Sequence, residues 1–324
     1  MTSELTAYVH VGFPKTATSA LQQSIFTCHP QILYLGQPFN SDELRKLFEV
    51  DILLKDEIEY DAAVCRDQIE TYISKHKNDQ HRALLLSRES MCYTMLGGHD
   101  RCEIARRIKG LFGEVKILIV IRNQFDFISS MYSEEVSGGL YISFKRYLKN
   151  WWNLYDISFF PQLKYYELIK RYQELFGDKN VKILCFEDFV ADQKTYLEKI
   201  YQFMGVDTLG ARVPKKNVSL SRAALFCNRL ANRLITYDVG RPFYMEPTRG
   251  LGERPNKSLK NFRYIYKVGL NMALTNFDRL LGLKSYKSLY PEQWKAKLHN
   301  LYAPSNQKLQ KLCGFDLQKY RYPL

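Results

Sequence analysis

Residues 7–28, AYVHVGFPKTATSALQQSIFTC, decide how the rest of the chain reads. The run Ala7–Val11 is apolar and rich in β-branched and aromatic residues, the composition of a short buried strand. A Gly12-Phe13-Pro14 turn and Lys15 follow, and Thr16–Ser19 then lead into a helical stretch. Apolar side chains at Ala20, Leu21, Ser24/Ile25 and Cys28 recur at helical spacing, and Thr18 or Ser19 suits the N-cap. A strand that turns through glycine onto a helix N-terminus forms an anion cradle. Free backbone N–H groups and the positive end of the helix dipole converge there, and Lys15 adds a full charge.

Outward from that unit, strands and helices alternate. Further strands are expected at 32–36 (ILYLG), Arg82–Ser87, Val115–Ile121 and Val181–Phe186. Helices are expected over much of 41–77, over 100–112 with Gly113 as its stop, and over 125–136, 143–152, 162–176 and 192–204. The run 115–121 is apolar except for Lys116, as in a parallel sheet covered on both faces. The pattern predicts an α/β fold, a three-layer sandwich around a central parallel sheet. Ligands of such folds gather at the carboxyl ends of the strands. Those ends carry Gly12–Lys15, Ser87–Glu89, Arg122–Asn123 and Glu187–Asp188. The 324 residues read as a single domain, with an α/β core over 1–205 and a basic, mainly helical region over 206–324. Within that region 222–236 and 258–282 look like amphipathic helices, and 239–257 like a long loop.

The composition, 46% hydrophobic and 25% charged, is that of a globular protein. The chain has no long apolar run and no signal-like N-terminus, so a soluble, cytoplasmic protein is expected. Seven scattered cysteines without a C-x-x-C pair predict buried, reduced thiols and no metal site. Of the net charge of +13, nearly all lies between Arg212 and Tyr290, where sixteen Lys/Arg face four Asp/Glu. That segment is either a solvated face or a surface for anionic membrane or acidic glycan; no specific nucleic-acid contact is expected.

A nucleotide P-loop of the G-x-x-x-x-G-K-[ST] form pairs its lysine with a metal-binding hydroxyl and a carboxylate at a neighbouring strand end. Here Lys15 stands three residues after Gly12, before the helix, and the neighbouring strand ends in Arg122. Two separated cations favour a ligand with two separate phosphates. A reacting hydroxyl would also need a base. Glu89, just past the 82–87 strand, is the leading candidate; His10 on the first strand and His99 in a loop compete with it.

On these residues the chain resembles the sulfotransferases that use 3′-phosphoadenosine 5′-phosphosulfate (PAPS), which share a P-loop NTPase-like fold. GFPKTATSALQ is similar to their 5′-phosphosulfate loop, G-x-x-K-[ST]-G-T-[ST]. RNQFDFISSMY (122–132) is similar to their 3′-phosphate motif, with Ser130 eight residues after Arg122. Ala17 stands where that loop has glycine, and Gln124 where the second motif has proline. YAPSNQKL (302–309) looks like a feature of bacterial carbohydrate sulfotransferases. The resemblance implies that Gly12, Phe13, Pro14, Lys15, Thr16, Ala17, Thr18 and Ser19 bind the 5′-phosphosulfate, while Arg122 and Ser130 take the 3′-phosphate. Asn217 and Ser219, and more loosely Arg249-Gly250, would add nucleotide contacts. Lys15 would support the leaving phosphate, and Glu89 would deprotonate a glycan or glycolipid hydroxyl. PAPS would be the co-substrate and adenosine 3′,5′-bisphosphate (PAP) the product, with no metal. The aromatic stretch Tyr147–Phe160 would line the acceptor groove or serve packing, and Asn306 would cap or support the last helix. The alternatives are a P-loop kinase or NTPase, and a basic protein that binds polyanions or membranes.

Overall fold

In the computed structural model, which describes residues 5–94, 100–210, 213, 221–235, 273 and 290–324, five short apolar segments form one parallel sheet. They are β1 (Thr6–Gly12), β2 (Ile32–Tyr34), β3 (Ala83–Ser87), β4 (Val115–Ile121) and β5 (Val181–Cys185), ordered β2-β3-β1-β4-β5. Apart from Thr6, Lys116 and Lys182, every strand residue is buried. This is what helices on both faces of a parallel sheet require. β1 lies at the centre, with His10 in register with Ser87 of β3 and Leu118 of β4. The pairing with β4 slips between His10 and Gly12, a bulge that bends β1 as it leaves the sheet.

The first connection is α1 (Thr18–Leu21), which widens into a π-helical turn over Gln22–Phe26. α2 (Asp42–Lys46) runs likewise into a π turn at Leu47–Asp51, and α3 (Ala62–His76) follows, so 41–77 is two helices rather than one. α4 (Arg101–Phe112) is capped by Asp100 and stopped by Gly113 at φ 69°. Next come α5 (Gln124–Gly138), α6 (Phe144–Asn153), α7 (Phe159–Gln162), α8 (Tyr165–Phe176), α9 (Phe186–Ala191), α10 (Gln193–Met204), α11 (Arg222–Ile235) and α12 (Glu292–Cys313). The helix expected at 162–176 thus breaks at 163–164, and Phe186 opens α9 rather than ending a strand.

Chain contacts define two units. One comprises Met1–Asn123, Phe159–Pro214 and Tyr302–Leu324, and holds the sheet. On one face of the sheet Tyr8, Leu85, Leu118 and Leu184 pack with Leu21, Ile25 and Phe26, and with Leu197, Ile200 and Tyr201 of α10. Each fully buried aliphatic side chain there contributes ~1.5–3 kcal/mol. The second unit comprises Gln124–Ser158 and Lys215–Leu301. In it α11 is tied to the end of α5 through Asn232, whose Nδ2 donates to the Val136 and Leu140 carbonyls at 2.7 and 3.0 Å. Tyr132, Phe144, Tyr147 and Tyr290 form an aromatic cluster beside them.

The seven cysteines are free thiols, but only Cys65, Cys92 and Cys185 are buried, and Cys28 and Cys227 are exposed. Cys28 falls outside because the π turn shifts the inward face of α1 onto Leu21, Gln22, Ile25 and Phe26. Among the described residues no helix is long and apolar enough to cross a membrane. The stretches 239–257 and 258–282, apart from Ala273, lie outside the described residues, as do His99, Asn217, Ser219, Arg249 and Gly250.

Candidate active site

The first unit brings the ends of β1, β3 and β4 together around the 12–19 loop. Gly12 leaves β1 at φ +111°, where L-residues are strained, and Phe13 N–H donates to Val120 O at 2.7 Å, pinning the loop to β4. The Phe13 side chain is wholly buried, its ring edge-on to Tyr165 at 4.8 Å, so it anchors the loop from below. Its carbonyl accepts the Thr16 hydroxyl at 2.5 Å and the Thr18 hydroxyl at 3.1 Å. Those hydroxyls therefore brace the loop internally rather than pointing outward as ligands. Ser19 is exposed.

The expected N-cap at Thr18 or Ser19 is corrected: the N-cap is Ala17, in the left-handed region (φ 63°, ψ 16°), with no side-chain cap. Both threonine hydroxyls of the loop are spent on the Phe13 carbonyl, so neither closes over the helix end. The first intrahelical bonds, from Ala20 and Leu21 N–H, go to Ala17 O, and the amides before them point at the loop's interior. An uncapped helix end, with Lys15 before it, suits an anion.

Arg122, one residue past β4, donates through Nη1 to Lys15 O at 2.7 Å and lies over the Phe186 ring at 4.8 Å. The two cations picked out in sequence thus belong to one corner of the unit. Tyr165 supports both: besides packing on Phe13, its hydroxyl donates to Arg122 O at 2.7 Å. Ser130 is partly exposed on α5, in the second unit. Gln124 begins that helix although it stands in proline's place, and it is fully buried.

Glu89 lies against Gly12. A Cβ on Gly12 would stand 2.9 Å from Glu89 Cβ, so only glycine lets the carboxylate sit beside the loop. Glu89 Oε2 accepts from Gln22 Nε2 at 3.4 Å, and the same amide donates to Ser87 Oγ at 3.0 Å and Ser87 O at 3.4 Å. Arg88 turns the other way, to Gln37 Oε1 and to Glu49 at 3.0 Å. His10 is enclosed: Nδ1 bonds Ser87 Oγ at 2.8 Å, the ring lies edge-on to Phe26, and burial lowers its pKa to about 4. It supports Ser87 from within the sheet and has no opening towards a substrate.

The fourth strand end is used internally. Glu187 Oε1 accepts Asn123 N–H at 2.8 Å and Oε2 accepts the Tyr322 hydroxyl at 3.1 Å; burial raises its pKa. Asp188 accepts the Tyr320 hydroxyl. Asn123 Nδ2 donates to the carbonyls of Tyr320 and Arg321 at 3.1 and 2.7 Å. Asn306 sits in the middle of α12 rather than at its cap, wholly buried, and donates to Pro323 O at 2.9 Å. Sequence reasoning missed Gln22, Tyr165 and the 320–323 segment. A polar residue within a helix that packs on the sheet was the available sign of Gln22. Of the aromatic stretch, Tyr147, Trp151, Phe159 and Phe160 are buried as packing residues.

A family model described as "Sulfotransferase family" matches residues 9–209, and the chain belongs to that family: it is a sulfotransferase. Solved structures similar to it include a sulfotransferase from Alicyclobacillus acidocaldarius, 22% identical over 72% of this chain and 96% of that one, with a TM-score of 0.47. Another is the sulfotransferase domain of the Synechococcus PCC 7002 olefin synthase, 16% identical over 83% and 94%, TM-score 0.39. A third is mouse sulfotransferase SULT7A1 complexed with PAP, 16% identical over 64% and 61%, TM-score 0.33. No curated protein sequence matches the chain.

Proposed function

We propose that this sulfotransferase moves a sulfuryl group from PAPS to a hydroxyl of a carbohydrate or glycolipid. The observation that carries the reading is the meeting of the uncapped 12–19 loop, the Lys15 and Arg122 cations and the Glu89 carboxylate at adjoining strand ends. The family supports PAPS as donor, and the likeness of 302–309 to carbohydrate sulfotransferases supports the acceptor class. When bound, PAPS supplies the sulfuryl group and a phosphate leaving group.

The residues fit that pair of anions. Backbone N–H groups from Thr16 to Ser19 would hold the 5′-phosphosulfate, with Lys15 neutralising charge that grows there during transfer; one such preorganised donor is worth ~3–4 kcal/mol. Gly12 admits Glu89 to the loop, while Phe13 and Pro14 contribute by fixing its course. Arg122 would bind the 3′-phosphate; for Ser130, as for Asn217 and Ser219, the assignment rests on the sequence motif and spacing alone. Glu89, steadied by Gln22, would take the acceptor's proton, a role typically worth 10²–10⁴-fold in rate.

The test is thermal stabilisation by PAP, followed by labelled-sulfate transfer to a panel of glycans and phenols. Lys15→Ala should abolish transfer, and Arg122→Ala should weaken PAP binding at least tenfold. Glu89→Gln should lower turnover at least a hundredfold with PAP binding unchanged; full activity in Glu89→Gln would overturn the base assignment.

A further inference from the structure

Beside Glu89 lies a cavity of about 520 Å³ that neither the mechanism nor the sequence motifs use. Its walls are Gln37–Asp42, which leave β2, and Arg45 and Glu49 of α2 and its π turn. The volume falls in the ~300–1,000 Å³ range of small-ligand pockets. Two features join it to the proposed chemistry. Gln37 N–H donates to Ser87 O at 3.1 Å, the carbonyl that Gln22 Nε2 also contacts while holding Glu89. Arg88, the residue before Glu89, reaches into the wall and bonds Gln37 and Glu49. The cavity and the carboxylate are therefore two hydrogen bonds apart, around one carbonyl oxygen.

The lining speaks to what enters. Each carboxylate is already matched by a guanidinium, Asp42 by Arg45 at 3.0 Å and Glu49 by Arg88 at 3.0 Å. An anionic ligand would have to displace one of these partners, and nothing in the wall offers an unmatched cation. What remains is amide and carboxylate hydrogen-bonding capacity at Gln37, Asn40, Asp42 and Glu49, with the Phe39 ring stacked on buried Phe48. Amides and carboxylates that bond hydroxyl pairs, beside a fixed ring face, suit an uncharged polyhydroxylated chain.

We propose that this cavity is the acceptor subsite and that it takes an uncharged saccharide next to the hydroxyl to be sulfated. The proposal rests on the reading of Glu89 as the base. It moves the acceptor away from the aromatic stretch Tyr147–Phe160 and from the basic segment 212–290.

The experiment is calorimetric titration of the full chain, saturated with PAP, with chitotetraose, maltotetraose, chondroitin sulfate tetrasaccharide and 4-nitrophenol. Asn40→Trp, at an exposed position, fills the cavity, and Arg45→Ala opens the opposite wall without entering it. The expected result is saturable binding of a neutral tetrasaccharide that Asn40→Trp weakens at least tenfold and Arg45→Ala at least threefold, with PAP affinity within twofold of the parent chain. Tightest binding of the sulfated tetrasaccharide or the phenol, no binding of any of the four, or indifference to both substitutions would overturn the proposal. Loss of PAP binding by the parent chain would instead overturn the donor reading, and full transfer activity in Glu89→Gln the base reading.

Discussion

Ala17 shows how one side chain can work against the geometry it occupies. It holds φ 63°, where an L-residue costs roughly 1–2 kcal/mol and glycine almost nothing. The family loop places glycine there, and this chain keeps the conformation without it, since the Ala17 carbonyl must start the helix and its neighbours must brace on Phe13 O. Ala17→Gly should therefore raise unfolding stability by roughly 0.5–1 kcal/mol, the gain in the loop being partly offset by the greater freedom of unfolded glycine. Urea denaturation measures it, and a loss of stability would show that the left-handed turn is not the strained point. Gln22 teaches the reverse lesson: an ordinary helix residue acquires a function because a widened turn aims it at Ser87 and Glu89.

At the level of elements, the carboxyl edge of the sheet is held by a segment more than a hundred residues away in sequence. Tyr320–Pro323 is clasped by Asn123, Glu187, Asp188 and Asn306. Asn306→Ala would leave Pro323 O buried without its donor, and should cost ~1–3 kcal/mol in chemical denaturation. Faster amide exchange confined to 317–324 and the 122–124 turn should accompany it; unchanged exchange there would separate the segment from the Arg122 turn. The β–α alternation, the glycine turn and the cations at two strand ends were legible because each is local: period, turn residue and strand end lie within a few positions. The clasp was not, for Asn123 meets Tyr320 and Arg321 across 197 and 198 positions and no periodicity encodes that. The cavity at 37–49 escaped for a related reason. Its walls look like ordinary surface polar residues until Arg88 is seen reaching into them. Helix boundaries slipped wherever a π turn changed the period, as at Gln22–Phe26 and Leu47–Asp51.

Taken as a whole, the molecule carries two buried titrations of opposite sense, one in each unit. His10 protonates near 6.5 when unfolded and about 4 when folded, so between those values the unfolded chain binds more protons and stability falls as pH falls. Glu135, bonded to the Tyr147 hydroxyl at 2.7 Å, is raised by burial from the ordinary 4.5 to about 7. Between those values the folded chain binds more protons, and stability falls as pH rises. From about 4.5 to 6.5 the two slopes oppose, each approaching ~1.4 kcal/mol per pH unit. Glu135→Gln should expose the acid-side loss, and His10→Phe the opposite trend, in urea unfolding across pH 4.5–7; parallel curves for parent and both variants would refute the pairing. A different consequence follows from where the 37–49 cavity stands. It shares no residue with the 12–19 loop or with Arg122, and meets the reacting edge only through Ser87 and Arg88. On the acceptor assignment, recipient preference can diverge by substitutions in 37–49 while donor use stays intact, so evolution or engineering can retarget the enzyme one half at a time.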